Sequence, residues 1–471
     1  MTGSESESKE TIATQVERVR NAQATIDTVG QSRVDELTRA VGWALYREGA
    51  ARDVAAKAVA RTGVGNVDDK VFKTKRQIVG ALEDMRGAPS VGTIRQREGL
   101  VDIAKPVGVI GAFLPATNPV ATIPHLAMLA VKGRNAVVFS PAPGTRDACQ
   151  HAVSLIRAEL ARADAPRDLV QVVSDRATRD NVVALAAAVD FAQATASQSV
   201  VDIVQQSGTP NHAVAVGNVV TVVDQSVEVA TTATEIATSA TLDHGATCVN
   251  ANTAVLHRAV AEDVLTALEE TGAHRCSKAE RDAVTACLFD ENGSVNRDLV
   301  GSDAAAIADA AGFSVSAGTD LLVVDGDDLS VPHSLFGETL SPVLTTTVVP
   351  DFETGLDVTD AILAYEGRGH SCGVYTTRDD HIRAAAERLP VGRLIVNQPS
   401  IALAGGKHNR LPFTLSLGGG SWAGNQSDGN LTYRTFLDVT TIARSTTERD
   451  CEPESVFEEY AVGETDTPFD G

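Results

Sequence analysis

The chain has 471 residues, of which 43% are hydrophobic and 22% are charged. These fractions are normal for a folded globular protein and exclude a collagen-like or largely disordered chain. The longest nearly apolar stretch, residues 107–116, is half the length of a membrane span, which needs about 20 residues, so no transmembrane segment is expected.

The charge balance is strongly acidic. Asp and Glu number 62 against 40 for Lys and Arg, which gives a net charge of −22. Such a surface repels phosphate backbones, so nucleic-acid binding is not expected. Only nine of the basic residues are lysines. Abundant carboxylates with scarce lysine indicate a halophilic protein, whose surface repels itself in dilute salt and is screened in concentrated salt. An ordinary acidic enzyme is the alternative.

The N-terminus and the cysteines both indicate a cytoplasmic protein. Residues 1–10, MTGSESESKE, lack a basic segment followed by an apolar one, so no signal peptide is expected. The six cysteines form no CxxC pair and no His/Cys cluster with zinc spacing, so they are expected to be free thiols, with no metal site. These are Cys149, Cys248, Cys276, Cys287, Cys372 and Cys451.

The N-terminal part of the chain is predicted to be helical. After an acidic tail at residues 1–10, which is expected to be disordered, a helical pattern extends from about residue 11 to residue 85. Ser32 followed by Asp35 resembles a capping box before a helix over 34–50. Further helices are predicted at about 50–61 and 70–85.

Short apolar runs then alternate with helical stretches, which predicts βαβ units and a mainly parallel sheet. The strand candidates are 107–114, 135–140, 169–174, 191–196 and 212–217, and the helix candidates between them are 145–163, 178–188 and 199–207. Sheets of this class bind ligands at the carboxyl ends of their strands.

A second α/β stretch is predicted from residue 242 to residue 412. Its strand candidates lie around 249–256, 320–325, 342–349, 371–376 and 393–397. Two further segments, 93–104 and 431–444, have an extended character. They predict one extended arm at each end of the domain, and such arms are able to pair with those of another subunit.

Several familiar motifs are absent. Gly63 and Gly65 form GxG, but Asp68 stands where a dinucleotide fingerprint needs its third glycine. The run 405–408 lacks the Ser/Thr and spacing of a Walker A loop. There is no HExxH and no GxSxG.

Two residues stand where chemistry is possible. Cys248 lies at a loop-to-strand junction in TLDHGATCVNANTAVL, and Asn118 follows the first parallel strand in LPATNPVAT. An accessible thiol is a potential nucleophile, and an amide NH2 can donate to a developing oxyanion. Taken alone, each has a commoner explanation, which is a buried structural thiol for Cys248 and a turn residue before Pro119 for Asn118.

The later motifs are weak when taken singly. Glu338 in GETLSPVL and His370 in GRGHSCGVYT are single polar residues beside strand candidates. The run SLGGGSWAGN, residues 416–425, is backbone-permissive and either approaches a ligand closely or forms a loop.

Seven segments in order change this interpretation. They are AKPVGVIGAFLPATNP, GRNAVVFSPAPG, LDHGATC, GETLSPVL, GRGHSCGVYT, VNQPS and LPFTLSLGGGSWAGN. With them the chain resembles the aldehyde dehydrogenase superfamily, specifically its CoA-acylating branch, over about residues 15–445. The resemblance implies an α/β fold with a Rossmann-like nucleotide lobe, an α/β catalytic lobe and a small β arm.

The resemblance also implies a division of the chain. Residues 1–10 would be an acidic tail, 11–241 the nucleotide-binding lobe with part of the arm, and 242–412 the catalytic lobe. Residues 413–445 would return to the nucleotide lobe and the arm, and 446–471 would form an acidic C-terminal tail.

The resemblance assigns roles to single positions. Cys248 matches the catalytic nucleophile, Asn118 matches the amide that holds the oxyanion together with the backbone N–H at Cys248, and His370 matches a histidine of the acylating branch. The expected cofactor-binding residues are Ser140, Pro141, Gly217, Glu338, Gly418 and Gly420, with Glu338 at the nicotinamide ribose. NAD or NADP is the expected cofactor and coenzyme A the co-substrate.

The implied reaction is oxidation of a short aldehyde, sulfoacetaldehyde or acetaldehyde, to its acyl-CoA, or the reverse. Hydrolysing relatives carry a glutamate that activates water in the block matching residues 212–224, whereas this chain has no carboxylate there before Asp224. Without that base, CoA is a better deacylating nucleophile than water. Arg393, Lys407, His408 and Arg410 are candidates for binding an anionic substrate.

Some positions depart from the branch. Ser197, Gln198 and Ser199 replace a glycine-rich run near the cofactor, His244 replaces an asparagine before the nucleophile, and Gly419 replaces a cysteine. Two alternatives therefore stay open: a hydrolysing aldehyde dehydrogenase, and a catalytically silent assembly subunit. A homo-oligomer, dimer or tetramer, is expected, with a small aldehyde and CoA as the other partners.

Overall fold

Two parallel sheets and a small antiparallel arm organise the chain. The computed structural model describes residues 11–174, 178–214, 216–290, 293–326, 335–426, 428–447 and 456–457. Most of both predicted acidic tails, and Cys451, lie outside these residues. Across the described part, no helix is both long enough and apolar enough to cross a membrane.

Four helices precede the first sheet, as the periodicity predicts. They are α1 (Ile12–Ala24), α2 (Gln31–Tyr46), α3 (Ala50–Thr62) and α4 (Val67–Asp84). The predicted capping box at Ser32 is wrong, because Gly30 is the N-cap and Ser32 lies inside α2. The Asp35 carboxylate instead accepts a hydrogen bond from the buried Lys132 ammonium at 2.6 Å.

The first sheet has five parallel strands in the order β5-β4-β3-β6-β7. They are β3 (Val109–Phe113), β4 (Ala136–Ser140), β5 (Val170–Val172), β6 (Phe191–Thr195) and β7 (Asn211–Val214). The connecting helices are α5 (Pro119–Lys132), α6 (Arg146–Arg162), α7 (Arg179–Ala188) and α8 (Gln198–Gln206). Helices between the strands bury the sheet, which is why β3 and β4 are apolar throughout.

The second sheet has seven parallel strands in the order β10-β11-β12-β9-β8-β13-β14. They are β8 (Val219–Val223), β9 (Ala251–His257), β10 (Ala273–Arg275), β11 (Leu321–Asp325), β12 (Val343–Val349), β13 (Cys372–Tyr375) and β14 (Leu394–Val396). Its helices are α9 (Val229–Thr241), α10 (Ala261–Glu270), α11 (Lys278–Leu288), α12 (Ala304–Ala310), α13 (Phe352–Tyr365) and α14 (Asp379–Arg388).

Strand β8 belongs to the second sheet, where it pairs with β9 and β13. The predicted division has residues 219–223 in its first lobe. An apolar run is equally suited to the centre of either sheet, so its sequence does not reveal which one it joins. The confirmed expectation is the mixed α/β architecture with parallel sheets, whereas the domain boundaries stay a prediction.

The predicted extended segments form one antiparallel arm. Strands β1 (Gly92–Arg97) and β2 (Leu100–Pro106) make a hairpin, and β17 (Leu437–Ala443), the last strand among the described residues, adds to the other side of β2. A short hairpin of β15 (Leu417–Gly419) and β16 (Asp428–Asn430) precedes it.

The C-terminal segment is anchored in the core of the first sheet by Phe436. This side chain is fully buried, its ring meets Phe191 edge to face at 5.6 Å between centroids, and its carbonyl accepts a hydrogen bond from Asn135 Nδ2 at 2.8 Å. The arm strand β17 begins at the next residue, so this anchor positions the arm.

We predict that Phe436→Ala lowers the free energy of unfolding by about 3–5 kcal/mol, because it removes a ring from a closed core and leaves a cavity. Phe72→Ala, at a phenylalanine that is 49% exposed on α4, is the matched control and should change it by less than about 1 kcal/mol. Urea unfolding of both variants in the same salt tests this. Equal losses would contradict the anchoring role.

Candidate active site

The amino ends of four neighbouring strands bring the candidate residues together. Gly217 lies two residues before β8, Cys248 three residues before β9, His370 two residues before β13 and Arg393 directly before β14. These strands are adjacent and parallel, so their amino ends share one edge of the second sheet. The site is therefore built at this edge.

Gly217 lies close to both Cys248 and His370. A Cβ added at Gly217 would lie 2.7 Å from the Cys248 carbonyl oxygen, 3.0 Å from Cys248 Cβ and 3.1 Å from His370 Nε2. Any side chain here would displace one of them, so this position requires glycine. The cysteine and the histidine consequently face one another closely.

Asn118 reaches the cysteine loop from the first sheet. It is the N-cap of α5, five residues after the carboxyl end of β3. Its Nδ2 donates hydrogen bonds to the Ala246 carbonyl oxygen and to Thr117 Oγ1, each at 3.2 Å. Ala246 is two residues before Cys248, so the amide NH2 lies beside the nucleophile loop. Two separate sequence candidates thus meet at one place.

The Cys248 thiol lies in surroundings that disfavour its ionised form. Its pKa is raised to about 12, first by burial and second by the nearby Glu338 carboxyl group. Arg393 and Lys73 act in the opposite direction. Removing a thiolate from water is costly, and these two cations offset only part of that cost.

Glu338 and Glu366 form a close acidic pair. The Glu338 backbone N–H donates to Glu366 Oε2, and the Glu338 carboxyl group accepts from the Gly217 N–H. Burial, then the Glu366 charge, raises the pKa of Glu338 well above its ordinary value. Burial and the Glu366 charge thus both favour the protonated form of the Glu338 carboxyl group.

His370 carries a neutral imidazole, and Arg393 binds its backbone. Burial, with a smaller effect of Arg393, lowers the pKa of His370 to about 3. The Arg393 guanidinium donates to the His370 carbonyl oxygen at 3.0 Å, to the Gly418 carbonyl oxygen at 2.6 Å and to Ser371 Oγ at 3.2 Å. Arg393 therefore joins the histidine strand to the glycine-rich segment.

The four cations proposed for an anionic substrate divide into two groups. The Arg393 side chain is buried and its donors bind backbone carbonyl groups, so its main role is structural. Lys407, His408 and Arg410 are exposed on the loop after the 3-10 helix of residues 400–404. That helix belongs to the apolar cluster against which Cys248 packs. The exposed cations therefore follow, within a few residues, a helix that lies beside the cysteine.

The cofactor candidates of the first sheet lie at its carboxyl edge. Ser140 ends β4 and accepts a hydrogen bond from the Leu114 N–H, and Pro141 follows it in a buried position. Helix α8 begins after β6 with Ser197 as its N-cap and no capping side chain. An uncapped helix N-terminus at the carboxyl end of a parallel strand suits a phosphate group, so the Ser197 replacement preserves a fit to a dinucleotide.

The glycine-rich candidates lie on the opposite side of Arg393. Gly418 is buried within β15, and Gly420 has a left-handed φ of +60° at the start of a short 3-10 helix. The Gly418 carbonyl oxygen is bound by Arg393, as described above, which brings the segment next to His370. Leu417 of the same strand belongs to the apolar cluster against which Cys248 packs.

Sequence reasoning missed the residues that hold Asn118. Lys73 on α4 donates to Asn118 Oδ1 and to Asp243 Oδ2, and Lys70 donates to the same Asp243 oxygen at 2.8 Å. The available signal was the rarity of lysine. Two of only nine lysines stand three residues apart, which places them on one face of a helix.

Comparisons with known proteins show what the whole chain is similar to. The sequence profile of the aldehyde dehydrogenase family matches residues 54–286. An acylating sulfoacetaldehyde dehydrogenase of Bilophila wadsworthia is 35% identical over 92% of this chain and 94% of its own length. An acetylating succinate-semialdehyde dehydrogenase of Clostridium kluyveri is 32% identical over 91% and 94%. The crystal structure of an acetylating aldehyde dehydrogenase from Geobacillus thermoglucosidasius superimposes with a TM-score of 0.89 at 28% identity, covering 94% of this chain and 98% of that one.

We predict that alkylation of Cys248 by iodoacetamide accelerates about tenfold per pH unit from pH 7 to pH 10, because the thiolate fraction rises in proportion to hydroxide while the pH is below a pKa of about 12. Mass spectrometry of the Cys248 peptide measures the rate, with Cys248→Ser as the blank and a free thiol compound as the reference. The reference should level off near its own pKa of about 8.5. A plateau of the Cys248 rate below pH 9 would refute the effect of burial.

Proposed function

The chain belongs to the aldehyde dehydrogenase family, and on that premise we propose that it is a CoA-acylating aldehyde dehydrogenase. It oxidises a short aldehyde to its acyl-CoA, or reduces the acyl-CoA in reverse. The observation that carries the proposal is the meeting of Cys248 with the Asn118 amide, whose Nδ2 lies 3.2 Å from the Ala246 carbonyl oxygen of the cysteine loop. A nucleophile beside a prepositioned donor is the minimal requirement for addition to a carbonyl group.

The first half of the reaction uses both residues. The Cys248 thiolate adds to the aldehyde carbon, and the carbonyl oxygen becomes an oxyanion. Asn118 Nδ2 exchanges its hydrogen bond to Thr117 Oγ1 for one to that oxygen, and the Cys248 backbone N–H donates to it as well. Loss of one such donor typically reduces kcat by about 10²–10³-fold. Bound NAD(P) supplies the acceptor for the hydride that the former aldehyde carbon loses. Cys248 then carries the acyl group as a thioester.

The second half is thioester exchange. The CoA thiolate attacks the acyl carbon, the new C–S bond forms, and the Cys248 thiolate leaves. Because one thioester replaces another, the exchange is nearly balanced and both directions are accessible. Asn118 serves this step as well, since an oxyanion forms again at the same position.

Deacylation by water is disfavoured in this site. The block that carries the activating glutamate in hydrolysing relatives contains Val216, Gly217 and Asn218 here. The Asn218 side chain donates to the carbonyl oxygens of Phe336 and Glu366 and is structural. This supports acyl transfer over the hydrolysing alternative.

The first-sheet edge supports NAD(P) as the cofactor. Ser140 and Pro141 at the end of β4 and the N-terminus of α8 would hold its adenosine and phosphate groups, and Glu338 would hold its nicotinamide ribose. Gly217, Gly418 and Gly420 would leave room for its close approach. The structural fit at α8 argues against the silent-subunit alternative, which requires no cofactor binding.

We propose a short aldehyde as the substrate, with the anionic sulfoacetaldehyde first and the neutral acetaldehyde second. The relatives named above act on sulfoacetaldehyde and on succinate semialdehyde, and both of these aldehydes carry an acidic group. The exposed cations Lys407, His408 and Arg410 supply positive charge near the 3-10 helix that packs against Cys248.

A homo-oligomer is proposed as well, supported by exposed Val439 and Ile442 on the arm strand β17. The cytoplasmic location stays a prediction.

We predict that purified protein with NAD(P), sulfoacetaldehyde or acetaldehyde, and CoA in molar KCl forms the acyl-CoA. Omission of CoA should leave free-acid formation at least roughly 100-fold slower, because no side chain activates water. Thioester detection by mass spectrometry measures the product, and Cys248→Ser is the inactive control. Absence of a thioester from every short aldehyde would reject the function, and rapid acid formation without CoA would favour hydrolysis.

We also propose a halophilic enzyme, from the net charge of −22 and the nine lysines. Activity and melting temperature should both rise as KCl increases from 0.1 to 2 M, because salt screens the repulsion between surface carboxylates. Sorbitol at equal osmolality is the control and should leave activity near its low-salt value. Maximal activity in dilute buffer would contradict the proposal.

A further inference from the structure

The Asn118 amide requires a defined orientation. Its oxygen and its NH2 group are nearly the same size, so shape alone does not decide which one faces the reacting carbonyl oxygen. If the amide were turned over, its oxygen would face the developing oxyanion and repel it. The groups that contact the two ends of the amide therefore decide whether the donor is available.

We propose that Lys73 is a positioning residue that holds the Asn118 amide with its NH2 toward the reacting carbonyl group, and that Asp243 holds Lys73 in place. This proposal rests on the proposed acylating function. Lys73 Nζ donates to Asn118 Oδ1 and to Asp243 Oδ2. An ammonium group has donors and no acceptor, so it fixes the oxygen end of the amide on its own side.

The opposite end of the amide agrees with this orientation. Nδ2 donates to two acceptors, the Ala246 carbonyl oxygen and Thr117 Oγ1. Lys70 Nζ donates to the Thr117 carbonyl oxygen at 3.1 Å and so fixes the backbone that carries Asn118. With donors on one side and acceptors on the other, only one orientation satisfies every partner.

Asp243 links this cluster to the nucleophile. It is fully buried, has a left-handed φ of +54° and lies five residues before Cys248. One carboxylate oxygen accepts from both lysines, the other accepts from the Asn66 N–H at 2.9 Å, and the Asp243 N–H donates to Asp69 at 2.8 Å. These bonds hold the loop that carries Cys248 in a fixed position relative to the helix that carries Lys73.

The charges of the cluster are balanced. Two ammonium groups, Lys70 and Lys73, face two carboxylates, Asp69 and Asp243. Burial, and then the nearby charge of Lys73, lowers the pKa of Lys70 to about 8, while Asp243 opposes that change. Buried ion pairs add little net stability, so we assign this cluster a role in geometry and not in stability.

The glycine pair noted in the sequence has its explanation here. Gly65 has a left-handed φ of +68°, and a Cβ added to it would overlap the Asp243 carboxylate. Gly65 therefore makes room for the aspartate, whereas Gly63 is the C-cap of α3 with a left-handed φ of +71°. This part of the chain is shaped around the cluster.

The positive charge of Lys73 beside Asn118 Oδ1 also makes the Asn118 NH2 group a stronger hydrogen-bond donor. It draws electron density from the amide, which makes Nδ2 a better hydrogen-bond donor to an oxyanion. The effect of Lys73 on the rate consequently passes through Asn118, and it should vanish when Asn118 is absent.

A double-mutant cycle tests this. Lys73→Met is made in the natural chain and in the Asn118→Ala variant, and kcat and KM for acyl-CoA formation are measured at saturating CoA. We expect Lys73→Met to lower kcat by about 10- to 100-fold with Asn118 present and by less than about 3-fold with Asn118→Ala, with little change in the KM for the aldehyde. Equal losses in both backgrounds would overturn the proposal, because an effect on folding or on the thiol would not depend on Asn118.

Lys132→Met is the matched control. Lys132 is a buried lysine as well, but it binds Asp35 and the Met85 carbonyl oxygen and has no contact with the Asn118 cluster, so its effect should be the same in both backgrounds. Lys73→Arg keeps a charged donor and should retain more activity than Lys73→Met. If Lys73→Met does not fold, Lys73→Gln takes its place and the same comparison decides. A natural chain that makes no acyl-CoA rejects the proposed function, whereas an active chain with equal losses rejects only the role of Lys73.

Discussion

The cost of placing a thiolate in partly buried surroundings governs this site. Cys248 lies where burial and the Glu338 carboxyl group both disfavour ionisation, while Arg393 and Lys73 provide limited compensation. Exclusion of water strengthens each hydrogen bond that the site offers to a developing negative charge. The same exclusion removes the competitor that would turn a thioester into an acid. Burial around Cys248 therefore has two effects: it disfavours ionisation of the thiol, and it protects the thioester that the thiol forms from water.

The position of the site follows from how the two sheets are oriented. Asn118 comes from the carboxyl end of the first sheet, and Cys248 comes from the amino end of the second. Neither edge holds a complete set of groups for the proposed chemistry. Helix α4, which carries Lys70 and Lys73, contacts both sides and fixes the distance between them. The helical N-terminal part is therefore structurally coupled to the reacting atoms, although it supplies no residue to them.

Local patterns in the sequence predicted most of the elements. The run 107–114 contains β3, the run 135–140 contains β4, and the extended segments became the arm. The meeting of Cys248 and Asn118 was accessible only through resemblance, because 130 positions separate them and neither is unusual alone. The sheet that β8 joins and the N-cap of α2 were not accessible. Both depend on contacts between distant segments, such as Lys132 with Asp35, that local periodicity does not encode.

The buried lysines have a consequence for chemical work on this protein. Lys70, Lys73 and Lys132 are each less than a tenth exposed, which is a third of the chain's nine lysines. Acylating cross-linkers, immobilisation resins and amine-directed fluorophores will find few attachment points on the native fold. Tethering through carboxylates, which the surface has in excess, is the better route to a biosensor or a supported catalyst.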